Sequence, residues 1–237
     1  TADSTDRESQ SAKDIEKQLS AIEKAANGAV GVKLLQLRLA MKLGNFSDAE
    51  TLINKLKKEN PAGARIALTE VELLAAQNKT GEAISMSNSI MEQFPQAVEP
   101  VTTLASLLAQ QNNREKCEAV IKDALKRIEQ PGAQRQLSLL LFQCYMEWKQ
   151  RDNAYNLLDT LARKFPDDIS VKRQLLAFET TDKNLKIAQQ HVDDIKALEG
   201  ENGWQWRYEQ ARIWFGSDDF KNRNTEIISL LKENLLA

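Results

Sequence analysis

His191 is the only histidine in the sequence, so a Ser-His-Asp triad or a histidine-based metal cluster would have to be built around that one residue. It sits in "QQHVDD", among polar residues of an amphipathic stretch. Two acidic pairs are the next candidates for acid–base work. In "VDDIK", Asp193 and Asp194 are adjacent, and neighbouring residues on a helix point about 100° apart, so their carboxylates do not converge. In "PDD", Asp167 and Asp168 stand at a predicted helix start, where an acidic side chain caps free N–H groups and suits the dipole. The two cysteines, Cys117 and Cys144, are too few for a disulfide framework or a metal cluster. Each falls on an apolar position of a predicted helix, which reads as a pair of buried thiols. No Gly-rich phosphate loop, GxSxG elbow or zinc motif occurs. The residues therefore predict a chain that is not an enzyme and needs no cofactor or metal.

The elements that carry these residues are helical throughout. Proline and glycine are sparse, five and nine in 237 residues, and apolar residues recur at i, i+3, i+4 and i+7 almost everywhere. The 32 basic and 34 acidic side chains give a net charge of −2, with no basic block, so nothing in the charge predicts nucleic-acid binding. No apolar run approaches the roughly 20 residues that cross a bilayer. The longest, "LSLLLFQCYM", reads as a buried helix. The first residues, "TADSTDRESQSAKD", are polar and lack both Met and an apolar signal core. They suggest a processed or excised chain whose residues 1–12 are poorly ordered.

A period emerges from "GNFSDAETLINKLKKENP". Ala49, Ile53 and Leu56 share one helix face, and steps of 34 residues lead to Ala83, Ser87 and Ile90, then to Cys117, Ile121 and Ala124, and backwards to Ile15, Leu19 and Ile22. One longer step of 37 reaches Ala154, Leu158 and Leu161, and 34 more reach Ala188, Val192 and Ile195. A last copy, Arg223, Ile227 and Leu230, is one residue out of step. Pro61, Pro95, Pro166 and Gly200 each follow the small residue by 12, and Pro131 follows Cys117 by 14; these read as stops between units. Between a stop and the next triplet lies one more helix, for example "ARIALTEVELLAAQ". Polar turns such as "NKTG", "NNRE", "KQRD" and "TTDK" then join the two. Each unit is a hairpin of antiparallel helices that stacking must bury.

A 34-residue helical hairpin with a small residue early in its second helix and a proline at its end resembles the tetratricopeptide repeat. Ala49, Ala83, Ala154 and Ala188 match the family's small position, and Pro61, Pro95 and Pro166 its terminal proline. In the first helices, Ala105 and Ala211 match the family's small residue and Tyr145 and Trp214 its aromatic. Leu37, Val71, Phe142 and Leu176 depart from the small residue. The resemblance implies an all-α, right-handed α-solenoid, a superhelix, over residues 13–237: a half-repeat at 13–28, then repeats at about 30–62, 63–96, 97–132, 133–167, 168–201 and 202–237. The lone second helix "KDIEKQLSAIEKAAN" at the start and "EIISLLKENLLA" at the finish suggest a segment of a longer array.

The resemblance also implies that first helices line a concave groove that holds a partner's peptide, helix or loop. Groove candidates are Arg38, Met41, Arg65, Glu72, Thr102, Ser106, Gln143, Met146, Glu147, Arg173 and Gln174. Where some members clamp a terminal carboxylate with Lys and Asn, this chain has Leu34 and Arg38, Leu68 and Glu72, then Thr102 and Ser106, so that clamp is missing. In "WQWRYEQARIWF", Trp204, Tyr208, Ala211 and Phe215 follow helical spacing and read as a core stripe, leaving Trp206 off that face. Two readings stand for the cluster: packing between repeats, or an aromatic contact through Trp206. The expected function is a protein-interaction scaffold. The alternatives are a scaffold segment of a bacterial envelope or exopolysaccharide export machine and the targeting arm of a larger enzyme. The expected partner is a protein or peptide, without nucleic acid or membrane insertion. Repeats rich in Gln, Asn, Lys and Leu are similar to bacterial members of the family, which leaves cytoplasm and periplasm both open.

Overall fold

The computed structural model describes residues 15, 17, 18, 21, 22, 30–60 and 63–236. Twelve helices follow one another through residues 30–236, with no strand among the described residues: α1 (Val30–Lys42), α2 (Phe46–Glu59), α3 (Ala64–Ala76), α4 (Thr80–Gln93), α5 (Val98–Gln110), α6 (Arg114–Arg127), α7 (Pro131–Glu147), α8 (Arg151–Lys164), α9 (Ile169–Thr181), α10 (Leu185–Glu199), α11 (Trp204–Phe215) and α12 (Asn224–Leu236). The chain divides into two compact units, Thr1–Leu137 and Ser138–Ala237.

The triplets form the inner seam of each hairpin. In α2 an acidic first turn with Asp48 and a basic last turn with Lys57 and Lys58 complement the helix dipole, while Ala49, Ile53 and Leu56 turn inward. The fifteen residues of the five triplets from Ala49 to Ile195 are all 0–3% exposed. A small residue leading each triplet lets two helix backbones approach, and the branched residues behind it fill the space that opens. The flanking copies differ: Ile15 and Ile22 are 45% and 51% exposed, Leu19 lies outside the described residues, and in the last copy Ile227 is buried at 6%. Residues 1–12 also lie outside the described residues.

Five first helices, α1, α3, α5, α7 and α9, end in the same backbone device, whereas α11 ends at Gly216 with φ −84°. Gly44, Asn78, Asn112, Lys149 and Lys183 have φ between 56° and 75°, in the left-handed region. They are separated by steps of 34, 34, 37 and 34 residues, the spacing of the triplets. The residue after each returns its N–H to a carbonyl five positions back: Asn45 to Ala40, Lys79 to Leu74, Asn113 to Leu108, Gln150 to Tyr145 and Asn184 to Glu179, at 2.8–2.9 Å. These are Schellman closures, which satisfy the last helical carbonyls and reverse the chain into the second helix. The polar turns expected from the sequence are therefore one repeated geometry, and it carries a cost at the two lysines, whose Cβ crowds the left-handed conformation.

Proline acts as a stop at Pro95 and Pro166, each two residues beyond the last residue of α4 or α8; Pro61 lies outside the described residues. Pro131 behaves otherwise. It is the first residue of α7, where its fixed φ suits the helix and its missing N–H is not needed. The longer step of 37 has its explanation here, since α7 has 17 residues where α1, α3, α5 and α9 have 13.

Packing passes from each helix to the next: α1 to α2, α2 to α3, and so on to α6 within the first unit, and α8 through α12 within the second. First helices also touch their successors, α1 against α3 and α3 against α5. Lys33, 6% exposed, donates to both carboxylate oxygens of Glu59 at 2.9 and 2.7 Å and ties α1 to the end of α2. That hydrogen bond holds the Glu59 carboxyl below its ordinary pKa.

Ser87 is the polar exception in the seam, standing where the other units carry Ile53, Ile121, Leu158 and Val192. It is 0% exposed, and its hydroxyl finds no hydrogen-bond partner. Burying an unpaired hydroxyl costs about 1–3 kcal/mol. Ser87→Ala is therefore expected to raise stability by about 1 kcal/mol, read as a higher urea midpoint at unchanged slope. A lower midpoint would show that the hydroxyl is bonded in solution.

Candidate binding face

The residues that could do acid–base chemistry are dispersed. Asp168 caps α9, accepting from the N–H groups of Ser170 and Val171 at 3.0 and 3.3 Å. Asp194 accepts from Lys172 at 2.8 Å on α9, whereas Asp193 accepts from Gln189 along its own helix, so the two carboxylates serve different partners. His191 is half-buried, and burial pushes its pKa below the ordinary value against an opposing pull from Asp194. Cys117 and Cys144 are buried thiols that share no disulfide, and Cys117 donates to the Ala105 carbonyl at 3.4 Å. Among the described residues no three His, Cys, Asp or Glu side chains lie close enough to hold a metal ion, and no helix is long and apolar enough to cross a membrane.

The face with the shape of a binding site is formed by first helices. In the first unit, Arg38 on α1 reaches Glu72 on α3 with two hydrogen bonds, Nε to Oε2 at 3.2 Å and Nη2 to Oε1 at 3.1 Å. The partners are 34 residues apart, so the pair joins equivalent positions of successive hairpins. Beside it opens a cleft of about 580 Å³, walled by α1, α3 and α5. Ala64, Leu68 and Pro100 supply its apolar surface, and Arg38, Arg65, Glu72 and Glu99 its charges, two of each sign. Thr102 and Thr103, also in the wall, spend their hydroxyls on the Glu99 carbonyl at 2.8 and 2.9 Å. A second cleft of about 400 Å³ shares Glu72, Thr102 and Thr103 and extends past Ser106 to Gln110. Arg65 is exposed and makes no ion pair among the described residues, so the cleft offers a free guanidinium beside a neutralised one.

Of the groove residues expected from the sequence, Arg38, Arg65, Glu72 and Thr102 share the first cleft, and Ser106 lies in the second. Met41 packs half-buried against the α1–α2 core. Gln143, Met146 and Glu147 are exposed on α7, and the buried Oε1 of Gln174 on α9 has no partner.

In the second unit α9 and α11 repeat the pairing of first helices. Arg173 Nε donates to Glu209 Oε1 at 2.7 Å, and Nη1 to Gln205 Oε1 at 3.4 Å. Here the structure reverses the aromatic pattern read from the sequence. Trp206 is the core residue, 9% exposed, packed with Leu176, Val192, Ile195 and Ile213, and its indole N–H donates to the Gly200 carbonyl at 3.1 Å. Of the expected core stripe, Trp204, Tyr208 and Phe215 are 53%, 43% and 66% exposed, and Ala211 alone is buried, at 3%. The buried face runs Trp206, Glu209, Gln210 and Ile213, and polar residues can occupy it because each is paired. Glu209 faces Arg173 and Arg212, while Gln210 and Gln189 exchange hydrogen bonds at 2.6 and 2.9 Å. Trp204 and Tyr208 are thus rings that α11 leaves exposed, where the spacing rule alone placed them inside.

The five left-handed closures and five buried triplets, both in steps of 34, 34, 37 and 34 residues, are the decisive features. The helices stack as tetratricopeptide-repeat hairpins. No family model matches the chain, and no curated protein matches it. Among solved structures the chain is similar to Pseudomonas aeruginosa pilF, at 14% identity over 87% of this chain and 90% of that one, with a TM-score of 0.52. BtubC from P. vanneervenii matches at 16% identity over 81% and 90% of the two chains, with a TM-score of 0.49. A tetratricopeptide repeat protein from Parabacteroides merdae matches at 14% over 96% and 94%, with a TM-score of 0.44. At 14% identity and a TM-score of 0.52, the match to pilF speaks to the fold alone.

A third cleft of the repeat array, about 500 Å³, lies at the turn end of α8, α9 and α10. Its base is Glu179, 1% exposed, which accepts from the Tyr155 hydroxyl at 2.6 Å and from Asn184 Nδ2 at 2.8 Å. Arg151 lies 4.4 Å from the Phe178 ring centre and pairs with Asp182 at 2.7 Å. The hydrogen bond to Glu179, aided by burial, pushes the Tyr155 phenol up to about 12. A phenol whose folded pKa exceeds its ordinary value of 10.0 stabilises the fold fully below that pH, and the contribution is lost as pH rises through about 12. Absorbance at 295 nm is therefore expected to show a late phenolate step near pH 12 that Tyr155→Phe removes. Stability should fall across pH 10 to 12 more steeply in the parent chain than in that variant. A difference between the two titration curves that falls near pH 10 instead would place Tyr155 in ordinary solvent.

Proposed function

We propose that the chain is a non-catalytic protein-interaction scaffold that holds a peptide, helix or loop of a partner protein against its first-helix face. The observation that carries this reading is the pair of adjoining clefts on α1, α3 and α5, with their apolar patches and the exposed Arg65, which has no ion pair among the described residues. An extended segment or amphipathic helix seats apolar side chains over Leu68 and Pro100 and sets a carboxylate against Arg65, a recognition mode that reuses ordinary secondary-structure surfaces. Balanced charge in the cleft suits a partner segment with both signs, giving specificity of register more than raw affinity.

The test is a pull-down of partners by the full chain against a variant carrying Arg38→Glu and Arg65→Glu. Arg38 and Arg65 are exposed, so the fold is expected to survive. Loss of the captured partner in the variant, with unchanged helicity by circular dichroism, supports the first-unit clefts as the site. Equal capture by both proteins sinks it.

A further inference from the structure

Trp204 and Tyr208 stand one turn apart on α11, 53% and 43% exposed. Both flank Arg173, whose guanidinium carbon lies 5.8 Å from the Trp204 ring centre and 6.0 Å from that of Tyr208. Arg173 is held in place by its bonds to Glu209 at 2.7 Å and Gln205 at 3.4 Å. Glu209 is 1% exposed, and its second oxygen faces Arg212 Nη2 at 2.9 Å. One buried carboxylate therefore balances two guanidiniums whose side chains are 32% and 40% exposed. Glu199 stands behind Gln205, accepting from its Nε2 at 2.9 Å, and Arg173 keeps part of its guanidinium open to solvent beside the rings of Trp204 and Tyr208.

We propose that this α9–α11 face binds a partner peptide presenting a carboxylate next to an aromatic side chain. The inference rests on the scaffold reading and names the class of partner for the second unit. Arg173 is already held through Glu209 and Gln205, so little side-chain entropy is lost when its remaining N–H groups meet an anion, and Arg212 stands beside the same carboxylate. Trp204 and Tyr208 offer large rigid surfaces at low entropic cost, on which a partner ring stacks offset or edge-on. A strand of nucleic acid would use the same stacking surfaces but needs a track of cations for its phosphates, and the chain has a net charge of −2 with its basic residues scattered.

Selection of a phage-displayed random-peptide library on the full chain, followed by fluorescence anisotropy of the enriched peptides as labelled synthetic probes, tests this. Enrichment of peptides with Asp or Glu beside Phe, Tyr or Trp is expected. Trp204→Ala, Tyr208→Ala and Arg212→Gln should each weaken their binding by about tenfold at unchanged helicity. Trp204 and Tyr208 are exposed enough that truncation leaves the core intact. Enriched peptides that lack an acidic residue, or that bind all three variants as tightly as the parent, overturn the proposal and leave the scaffold reading standing. No enrichment at all overturns both. A labelled oligothymidylate that binds the parent and is released by Trp204→Ala overturns it in favour of nucleic acid.

Discussion

Trp206→Ala is expected to destabilise the second unit by about 3–5 kcal/mol, the range for deleting a large buried aromatic. The indole is 9% exposed and packs on Leu176, Val192, Ile195 and Ile213, from three helices. It also carries the Lys196 ammonium 4.5 Å from its ring centre and bonds the Gly200 carbonyl through Nε1. Truncation removes the contacts that join α9, α10 and α11 and leaves a cavity that a helix stack closes poorly. The neighbouring Trp204→Ala, by contrast, is expected to change stability by no more than about 1 kcal/mol, the worth of an exposed cation–π contact. Urea unfolding of both variants checks the pair. Similar midpoints for the two would mean that Trp206 is not the core residue of α11.

Leu158→Ala is expected to cost about 2–5 kcal/mol. Leu158 is the middle member of the α8 triplet, 0% exposed, between Ala154 and Leu161, which are 0% and 2% exposed. Because each hairpin of a repeat stack rests mainly on its neighbours, the loss should be local, with amide exchange in α8 and α9 speeding before that in α12. Leu198→Ala, 40% exposed on α10, is the control and should stay within about 0.5 kcal/mol. A Leu158→Ala midpoint as high as that control's would show that the triplet is not the seam.

Much of this fold was legible in advance. Positions such as Ala83 and Ala188 announce themselves because tight helix contact admits only small side chains at regular intervals, and their 34-residue spacing survives where little else repeats. Pro131 was misread because proline has two roles, ending one helix or opening another, and local sequence does not choose between them. The αL lysines, Lys149 and Lys183, could not be read at all, since a lysine carries no signal for positive φ. Arg38, Arg65, Glu72 and Thr102 were chosen from register, and one cleft is lined by all four. Glu209 and Gln210 were not, because a polar residue on a buried face depends on partners at Arg173, Arg212 and Gln189, 36, 3 and 21 residues away.

The sequence by itself determined the secondary structure, the period, the inner seam and the absence of a recognisable catalytic motif, because these follow from local spacing of apolar, small and helix-breaking residues. Only the tertiary structure decided which face of α11 is buried, which charges are neutralised and where the clefts open. Those outcomes depend on pairs such as Arg38 with Glu72 and Arg173 with Glu209, brought together by stacking of hairpins, and helical spacing within one element carries no information about a partner on the next.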